Sequence, residues 1–314
     1  MGDVFDVLTM GRVGVDLYPE QSGVPLADVR TFAKFLGGSA TNVAVGAARY
    51  GHRSAVITKV GDDGFGAYIR QALRGFGVDP RFVGTDGDLR TPVVFIELVP
   101  PESPPILFYR QPKAPDMNLT VDDLDLDAIR SARVFWTTGT GLSDEPSRSA
   151  TLAALRERGR KRFTIHDLDH RPTFWRSPEE AGPLARQALG FATVAVGNVD
   201  EVTVAIGSGT PEAQASRLLD LGLELAIVKL GGDGVLAAWN GGADRVPPVE
   251  VEVVNGLGAG DAFGAALCHG LLEAWDVVDT VRFANAAGAY VAGQLACADA
   301  MPNEAQVRAF LVDA

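Results

Sequence analysis

Short β-branched runs alternate with longer stretches of helical periodicity almost from end to end, and this alternation limits the possible folds more than any other feature. FDVLTMG, SAVITKVG, ARVFWTTG, RFTIHDLD, TVAVGN and LELAIVKLG read as strands. Between them, ATNVAVGAARYG and FGAYIRQALRGFG space apolar residues three and four apart and end on glycine, as amphipathic helices do. Strands joined through helices pair in parallel, and a parallel sheet needs cover on both faces. The expected class is α/β, a parallel-sheet sandwich with helices on both faces. No linker, repeat or low-complexity tract divides residues 1–314, so a single domain is expected.

One region breaks the alternation. TPVVFIELVPPESPPILFYRQP (91–112) reads as two strands joined by a proline-rich turn, a hairpin. DLYPEQSGVPLADVRTFAKFLGG also lacks a strong helix and supplies extended segments beside it. Segments at about 12–35 and 91–113 are therefore expected to form a small protruding β-sheet lid, near the strand ends where α/β proteins bind ligands.

With 46% hydrophobic residues the chain can fill a large core, and its net charge of −12 argues against nucleic acid or an anionic membrane as partner. An anionic substrate must then meet a few local cations. Cys268 and Cys297 lie far apart in otherwise helical patterns and read as buried thiols rather than a disulfide or metal knuckle. The acidic start runs straight into a strand pattern and no run of eighteen apolar residues occurs, so a soluble, cytoplasmic protein is expected.

The chemistry concentrates in VVNGLGAGDAFGAAL (253–267), where a glycine-rich turn joins an extended run to a small-residue helix. Such a turn either cradles an anion with its backbone amides or is merely tight. Phosphate-loop, HExxH and GxSxG motifs are absent, and Gly258, Gly260 and Gly264 are spaced GxGxxxG, one residue longer than the dinucleotide fingerprint. Asp261 falls in the first helical turn, where the macrodipole favours its carboxylate. Amides that hold an anion beside a carboxylate base suit phosphoryl transfer. The alternative is an Asp that only stabilises the helix start. Valine at Gly260 is expected to crowd the phosphoryl site and to disfavour any φ > 0 geometry there.

A second glycine cluster, FLGGSATNVAVGAARYG (35–51), sets Gly37 and Gly38 before a helix that opens with Ser39, Thr41 and Asn42. Asn42 offers both a donor and an acceptor to sugar hydroxyls. On these two clusters, residues 37–61 and 255–268, the chain resembles the ribokinase-like carbohydrate kinases, also called the phosphofructokinase-B family. The resemblance runs through the whole chain. It implies that Asp261 deprotonates the sugar hydroxyl, and that the amides of Ala259, Gly260 and Asp261, in the catalytic turn that Gly258 opens, form an anion hole for the migrating phosphoryl group.

ATP and Mg²⁺ are implied as cofactors. GNVDE resembles the family's NxxE motif, so Asn198 and Glu201 would act on magnesium and phosphate through water, and the alternative is a strand end followed by a helix cap. VKLGGDG would place Lys229 and Gly231 near the triphosphate, with Gly234 shaping the loop, and FANAAGAY would place Asn285 near adenine. Many family members carry DTTGAGD where this chain has NGLGAGD. Asn255, Gly256 and Leu257 thus replace an acid and two hydroxyl residues, which leaves a K⁺ site open to question.

GRVGVDLYPEQSGVPL, PPILFYRQPKAPDMNL and DLDHRPTFW most resemble the family members that act on keto-deoxy sugar acids such as 5-dehydro-2-deoxygluconate. That resemblance implies substrate contacts on Asp16, Gly38, Asn42 and Arg110, the last a forked donor matched to a carboxylate. A solvated charge at a hairpin end is the alternative for Arg110. HDLDHRPTFW puts Asp167, Asp169 and Arg171 on one side and His166 and His170 on the other. Asp167 and Arg171 would then line the cleft, a two-histidine, two-acid metal site being the competing reading. 2-Dehydro-3-deoxygluconate, ribose or fructose are alternative substrates, a silent sugar sensor is the non-enzyme alternative, and a homodimer through the lid is open.

Overall fold

The computed structural model describes residues 4–21, 23–101 and 104–313. The six strands legible in the sequence all form: β1 (Val7–Met10), β4 (Ser54–Gly61), β9 (Val134–Thr138), β10 (Thr164–Asp167), β11 (Val194–Asn198) and β12 (Leu225–Lys229). They belong to one sheet with β5 (Val78–Asp79), β6 (Val83–Asp86), β13 (Val235–Trp239) and β14 (Gly242–Val246). Its order is β14-β13-β12-β11-β10-β9-β1-β4-β5, with β6 also on β4. Pairing is parallel as far as β12, after which β13 and β14 close that edge antiparallel.

Alternation along each strand sorts side chains between two layers. Val7, Val134 and Trp136 pack under α1 (Ser39–Arg49), α8 (Ala259–Leu272), α9 (Val277–Ala292) and α10 (Glu304–Asp313). Leu8, Met10 and Phe135 face the other way, toward α3 (Leu126–Ser131), α4 (Ser147–Arg158) and α5 (Pro178–Leu189). Further along that layer, α6 (Val199–Ile206) and α7 (Pro211–Asp220) cover Ala195, Ala226 and Val228. On the first layer, Val56 and Val60 of β4 meet α2 (Gly64–Gly75).

The chain steps from β1 to β4 on one side and later returns to β9 on the other. Strand order therefore reverses at β1, and a crevice opens at the carboxyl ends of β1 and β9, the usual ligand position in such sheets.

A separate four-stranded sheet stands at that crevice, in the order β3 (Phe32–Gly37), β2 (Gly14–Pro19), β7 (Val93–Ile96) and β8 (Ile106–Tyr109). β7 and β8 form the expected hairpin, whose turn residues Glu102 and Ser103 lie outside the described residues. Register puts Asp16, Val94 and Phe108 on one face and Leu17, Phe95 and Leu107 on the other.

Helix α8 is made of small residues because it is wedged tightly into place. A Cβ on Gly264 would lie 2.6 Å from the Trp136 ring of β9, so only glycine lets the helix sit this deep. Cys268 is buried in α8 as expected. Cys297 is also buried, but it follows α9 in a loop rather than lying in a helix, because α9 ends at Ala292.

Candidate active site

Two cavities meet at the N-terminus of α8, divided by the turn 257–261. Leu257, Gly258 and Asp261 face one cavity, which Arg12, Asp16, Gly38, Asn42, Arg110 and Arg171 also line under Val94 and Phe108 of the small sheet. Ala259 and Gly260 face the other, a space of about 480 Å³ that gathers Lys229, Gly231, Gly234 and Asn285. The sequence-derived substrate residues gather at the first compartment, with Gly37 beside it against the Asp16 carboxylate, and Lys229, Gly231, Gly234 and Asn285 at the second, whereas Asn198 and Glu201 line neither.

Asp261 occupies the third position of α8, as its spacing implied. One carboxylate oxygen accepts from Ser39 Oγ and the other from Asn42 Nδ2, both at 2.7 Å. Burial raises its pKa, and these two donors pull it back down. Asn42 Oδ1 is left buried without a partner, free to accept from a ligand hydroxyl.

The glycine argument shifts by two residues. Gly258, not Gly260, holds the left-handed backbone, at φ +81°, and a Cβ there would come 2.8 Å from Cys297 Sγ. Gly260 lies inside the helix, where φ is negative, so the expected φ > 0 constraint at that position is corrected. A Cβ at Gly260 meets only Lys229 Nζ, at 3.2 Å. The space in front of it is open toward that ammonium.

The first cavity is floored by an ionic network. Arg12 donates to Asp169 at 2.9 Å and to Thr140 Oγ1 at 2.9 Å, and Arg171 pairs with Asp169 at 3.1 Å. Burial would raise the Asp169 pKa, but the two guanidiniums outweigh it and hold the group low. Arg110 pairs with buried Asp116, which also accepts from the Val13 amide at 3.0 Å, so Arg110 is not a solvated hairpin charge. Asp16 is different. Burial pushes its pKa up to about 7, against the pull of Arg12.

Behind Lys229, outside the lining of the second cavity, burial pushes Asp167 upward, opposed by Lys229 and reinforced by Glu201. Lys229 is raised instead, because Asp167, Glu201 and Asp261 outweigh its own desolvation. Asn198 and Glu201 form a reciprocal cap on α6, the Asn198 amide donating to Glu201 at 2.8 Å and the Glu201 amide to Asn198 Oδ1 at 2.9 Å. The capping reading is therefore realised, while Glu201 still acts electrostatically on Asp167 and Lys229. Asn285 Nδ2 donates to the Pro247 carbonyl at 2.8 Å.

His166 and His170 do not form a metal site with Asp167 and Asp169. His166 is buried with Nδ1 2.9 Å from Thr137 Oγ1, its pKa pushed down to about 4 by burial, and His170 stacks on Trp175. Asn255 spends both ends of its amide, donating to the Leu295 carbonyl beyond α9 and accepting from the Leu257 amide.

Arg12, Asp116 and Thr140 were not singled out from sequence, and Asp169 only as an acid of the competing metal site. Arg12 and Asp169 follow the carboxyl ends of β1 and β10 by two residues, and that placement is the signal that marks them.

Residues 5–304 match the model of the pfkB family carbohydrate kinases. A 5-dehydro-2-deoxygluconokinase of Clostridium tetani is 33% identical over 98% of this chain and 92% of its own length. A fructokinase double mutant of Vibrio cholerae, solved with fructose, ADP and potassium ion bound, is 29% identical with a TM-score of 0.87 over 99% of this chain and all of that one. A putative ribokinase II of E. coli, solved with ATP and Mg²⁺, superimposes with a TM-score of 0.90 over 99% of this chain and all of that one at 22% identity, a likeness of fold. The nearly complete family match, the paired cavities and the Gly-Ala-Gly-Asp turn between them agree: the chain belongs to the pfkB family of carbohydrate kinases.

Proposed function

We propose that the protein is a 5-dehydro-2-deoxygluconokinase, which transfers the γ-phosphoryl group of ATP to the 6-hydroxyl of 5-dehydro-2-deoxy-D-gluconate in inositol catabolism. The observation that carries the substrate class is the cluster of guanidinium donors at the acceptor cavity. Three guanidiniums, Arg12, Arg110 and Arg171, share two carboxylates, Asp169 and Asp116. With Asp16 and Asp261 also at the cavity no net positive charge remains, but Arg12 and Arg171 converge on the single carboxylate of Asp169, so guanidinium donors are concentrated here in a chain that is otherwise strongly acidic, and a substrate carboxylate matches them.

In this reading Asp261 accepts the proton of the attacking hydroxyl while Ser39 and Asn42 hold its carboxylate in place. The free Oδ1 of Asn42 and the carboxyl of Asp16 accept sugar hydroxyls, with Gly37 and Gly38 leaving room for them. The amides of Ala259, Gly260 and Asp261 receive charge on the transferring group, and Lys229 supplies a cation directly in front of Gly260. Gly231, Gly234 and Asn285 line the nucleotide compartment. Asp167 and Glu201, the acids that act on Lys229, offer the oxygen donors that a hydrated Mg²⁺ uses through water, and that ion neutralises the phosphates when bound. For K⁺, the Asn255 side chain is already committed, so any monovalent ion would rest on backbone carbonyls.

All of residues 1–314 serve here as one domain, with the small sheet as its lid. The outer lid face carries Leu107 and Tyr109 at 47% and 60% exposure, next to Phe95, which supports a homodimer formed through it.

A coupled assay of ADP release with 5-dehydro-2-deoxygluconate, 2-dehydro-3-deoxygluconate, ribose and fructose tests the reading. The highest kcat/KM is expected on the first. Preference for 2-dehydro-3-deoxygluconate, equal in charge, would keep the kinase and change the substrate.

A further inference from the structure

The far end of α8 carries a second cluster of polar side chains, on the opposite side of the helix layer from the turn 257–261. His269 sits in the last turn of α8, eight residues or roughly 12 Å of helix beyond Asp261. Glu273 lies one turn further on, so the pair shares one helix face. His52, from the loop between α1 and β4, reaches the same point: its Nε2 is 2.8 Å from His269 Nδ1. One ligand atom from each of His52, His269 and Glu273 falls within 4.8 Å of the others. We propose that these three side chains form a binding site for one divalent transition-metal ion of the zinc class, with Glu304 orienting His269 from behind.

The chemistry of the donors selects the ion. Two imidazoles and one carboxylate are the ligand set that zinc and its neighbours favour, while magnesium and calcium want oxygen alone. The His269 ring is already fixed. It stacks on Tyr50 at 4.8 Å and meets the edge of Trp275 at 5.0 Å. Its other nitrogen, Nε2, lies 3.5 Å from a Glu304 carboxylate oxygen on α10. Nε2 is buried with no hydrogen-bond partner at that distance, and a small approach of the Glu304 carboxylate would take its proton's hydrogen bond and leave the Nδ1 lone pair toward His52, the outer-shell arrangement that metal-bound histidines use.

The remaining adjustment is small: the ion replaces the proton that these two nitrogens share in their 2.8 Å hydrogen bond, and that proton is released to solvent. Two nitrogens on a tetrahedral zinc at about 2.0–2.1 Å stand roughly 3.3 Å apart, so the rings need to separate by about half an ångström. His52 is half-buried at a loop end and has the freedom to do so, and Glu273 is exposed. The fourth position is left to water. Such an ion would tie the α1–β4 loop to α8 and, through Glu304, to α10. Its effect belongs to stability, since none of these residues lines either cavity.

Calorimetric titration of the metal-stripped full chain with Zn²⁺, without nucleotide, tests this. One ion per chain is expected, with affinity falling at least tenfold in His52→Ala and in Glu273→Gln, and about tenfold in Glu304→Gln as the outer-shell partner is lost. Zn²⁺ should raise the Tm of the wild type and not that of His52→Ala, whose Mg·ATP-dependent turnover should be unchanged. Co²⁺ in place of zinc should give visible d–d bands without a thiolate charge-transfer band, since Cys268, next to His269, faces the core. Equal zinc affinity in the wild type and in both His52→Ala and Glu273→Gln, no saturable binding, or a thiolate band would each overturn the assignment.

Discussion

Asp261 is gripped by Ser39 and Asn42, so its position does not depend on a ligand. Asp261→Asn keeps the shape and removes the base, and kcat should fall by about 10² to 10⁴ while sugar binding survives. Steady-state kinetics beside a direct binding titration check the split. Asp16 gives a pH effect. Its pKa of about 7 lies above the unfolded value of about 3.9, so the folded state keeps a proton that the unfolded chain has lost. That contribution to stability is complete below pH about 4 and disappears as pH rises through 7. The Tm advantage of Asp16→Asn over wild type should therefore be larger at pH 8 than at pH 5, by scanning calorimetry at both. Arg110→Ala should raise KM for 5-dehydro-2-deoxygluconate by about 10- to 100-fold, the cost of a lost charge-assisted pair, and change KM for ribose little. Because the same change strands buried Asp116, a Tm loss will accompany it. The contrast between acid and neutral sugars isolates recognition from that loss.

At the scale of elements, α6 separates two roles that one motif combines. Asn198→Ala removes the cap and should cost about 0.5–2 kcal/mol of stability, measured by urea denaturation. Glu201→Gln can still close the reciprocal cap, because glutamine also accepts from the Asn198 amide. Its stability should stay close to wild type while kcat falls and more Mg²⁺ is needed for half-maximal rate. An unchanged rate would leave Glu201 as a cap alone. The strands that were legible are those with β-branched runs, whereas β13 and β14 were not, being VLAAW and GADRV with alanine, glycine and charge in place of a clear pattern. The cavity-lining residues of the two glycine clusters were legible because tight turns and helix starts depend on local backbone. Arg12 with Asp169 and Val13 with Asp116 join positions 157 and 103 residues apart, and nothing short-range in the sequence records such partnerships.

For the whole molecule, charge and shape oppose each other. Each chain carries −12, so two copies repel, while Leu107, Tyr109 and Phe95 offer an apolar face that water disfavours. Light scattering after size exclusion should show a dimer that strengthens as salt screens the repulsion, and Tyr109→Asp should shift it to monomer. A wild-type monomer at every ionic strength would remove the lid pairing and leave the rest of the reading intact.

The turn between the cavities has a consequence for how such an enzyme diverges. Neighbouring positions look into different rooms: 257, 258 and 261 toward the cavity under the small sheet, 259 and 260 toward that of Lys229 and Asn285. On the proposed reading, drift in taste for sugars proceeds on the small sheet, at Arg110 and its neighbours, without disturbing the choice of nucleotide. The reverse also holds along the wall of Lys229 and Asn285. Directed evolution can screen the two walls as independent libraries, with gains expected to add, except at the five residues of the partition, where any change is felt on both sides at once.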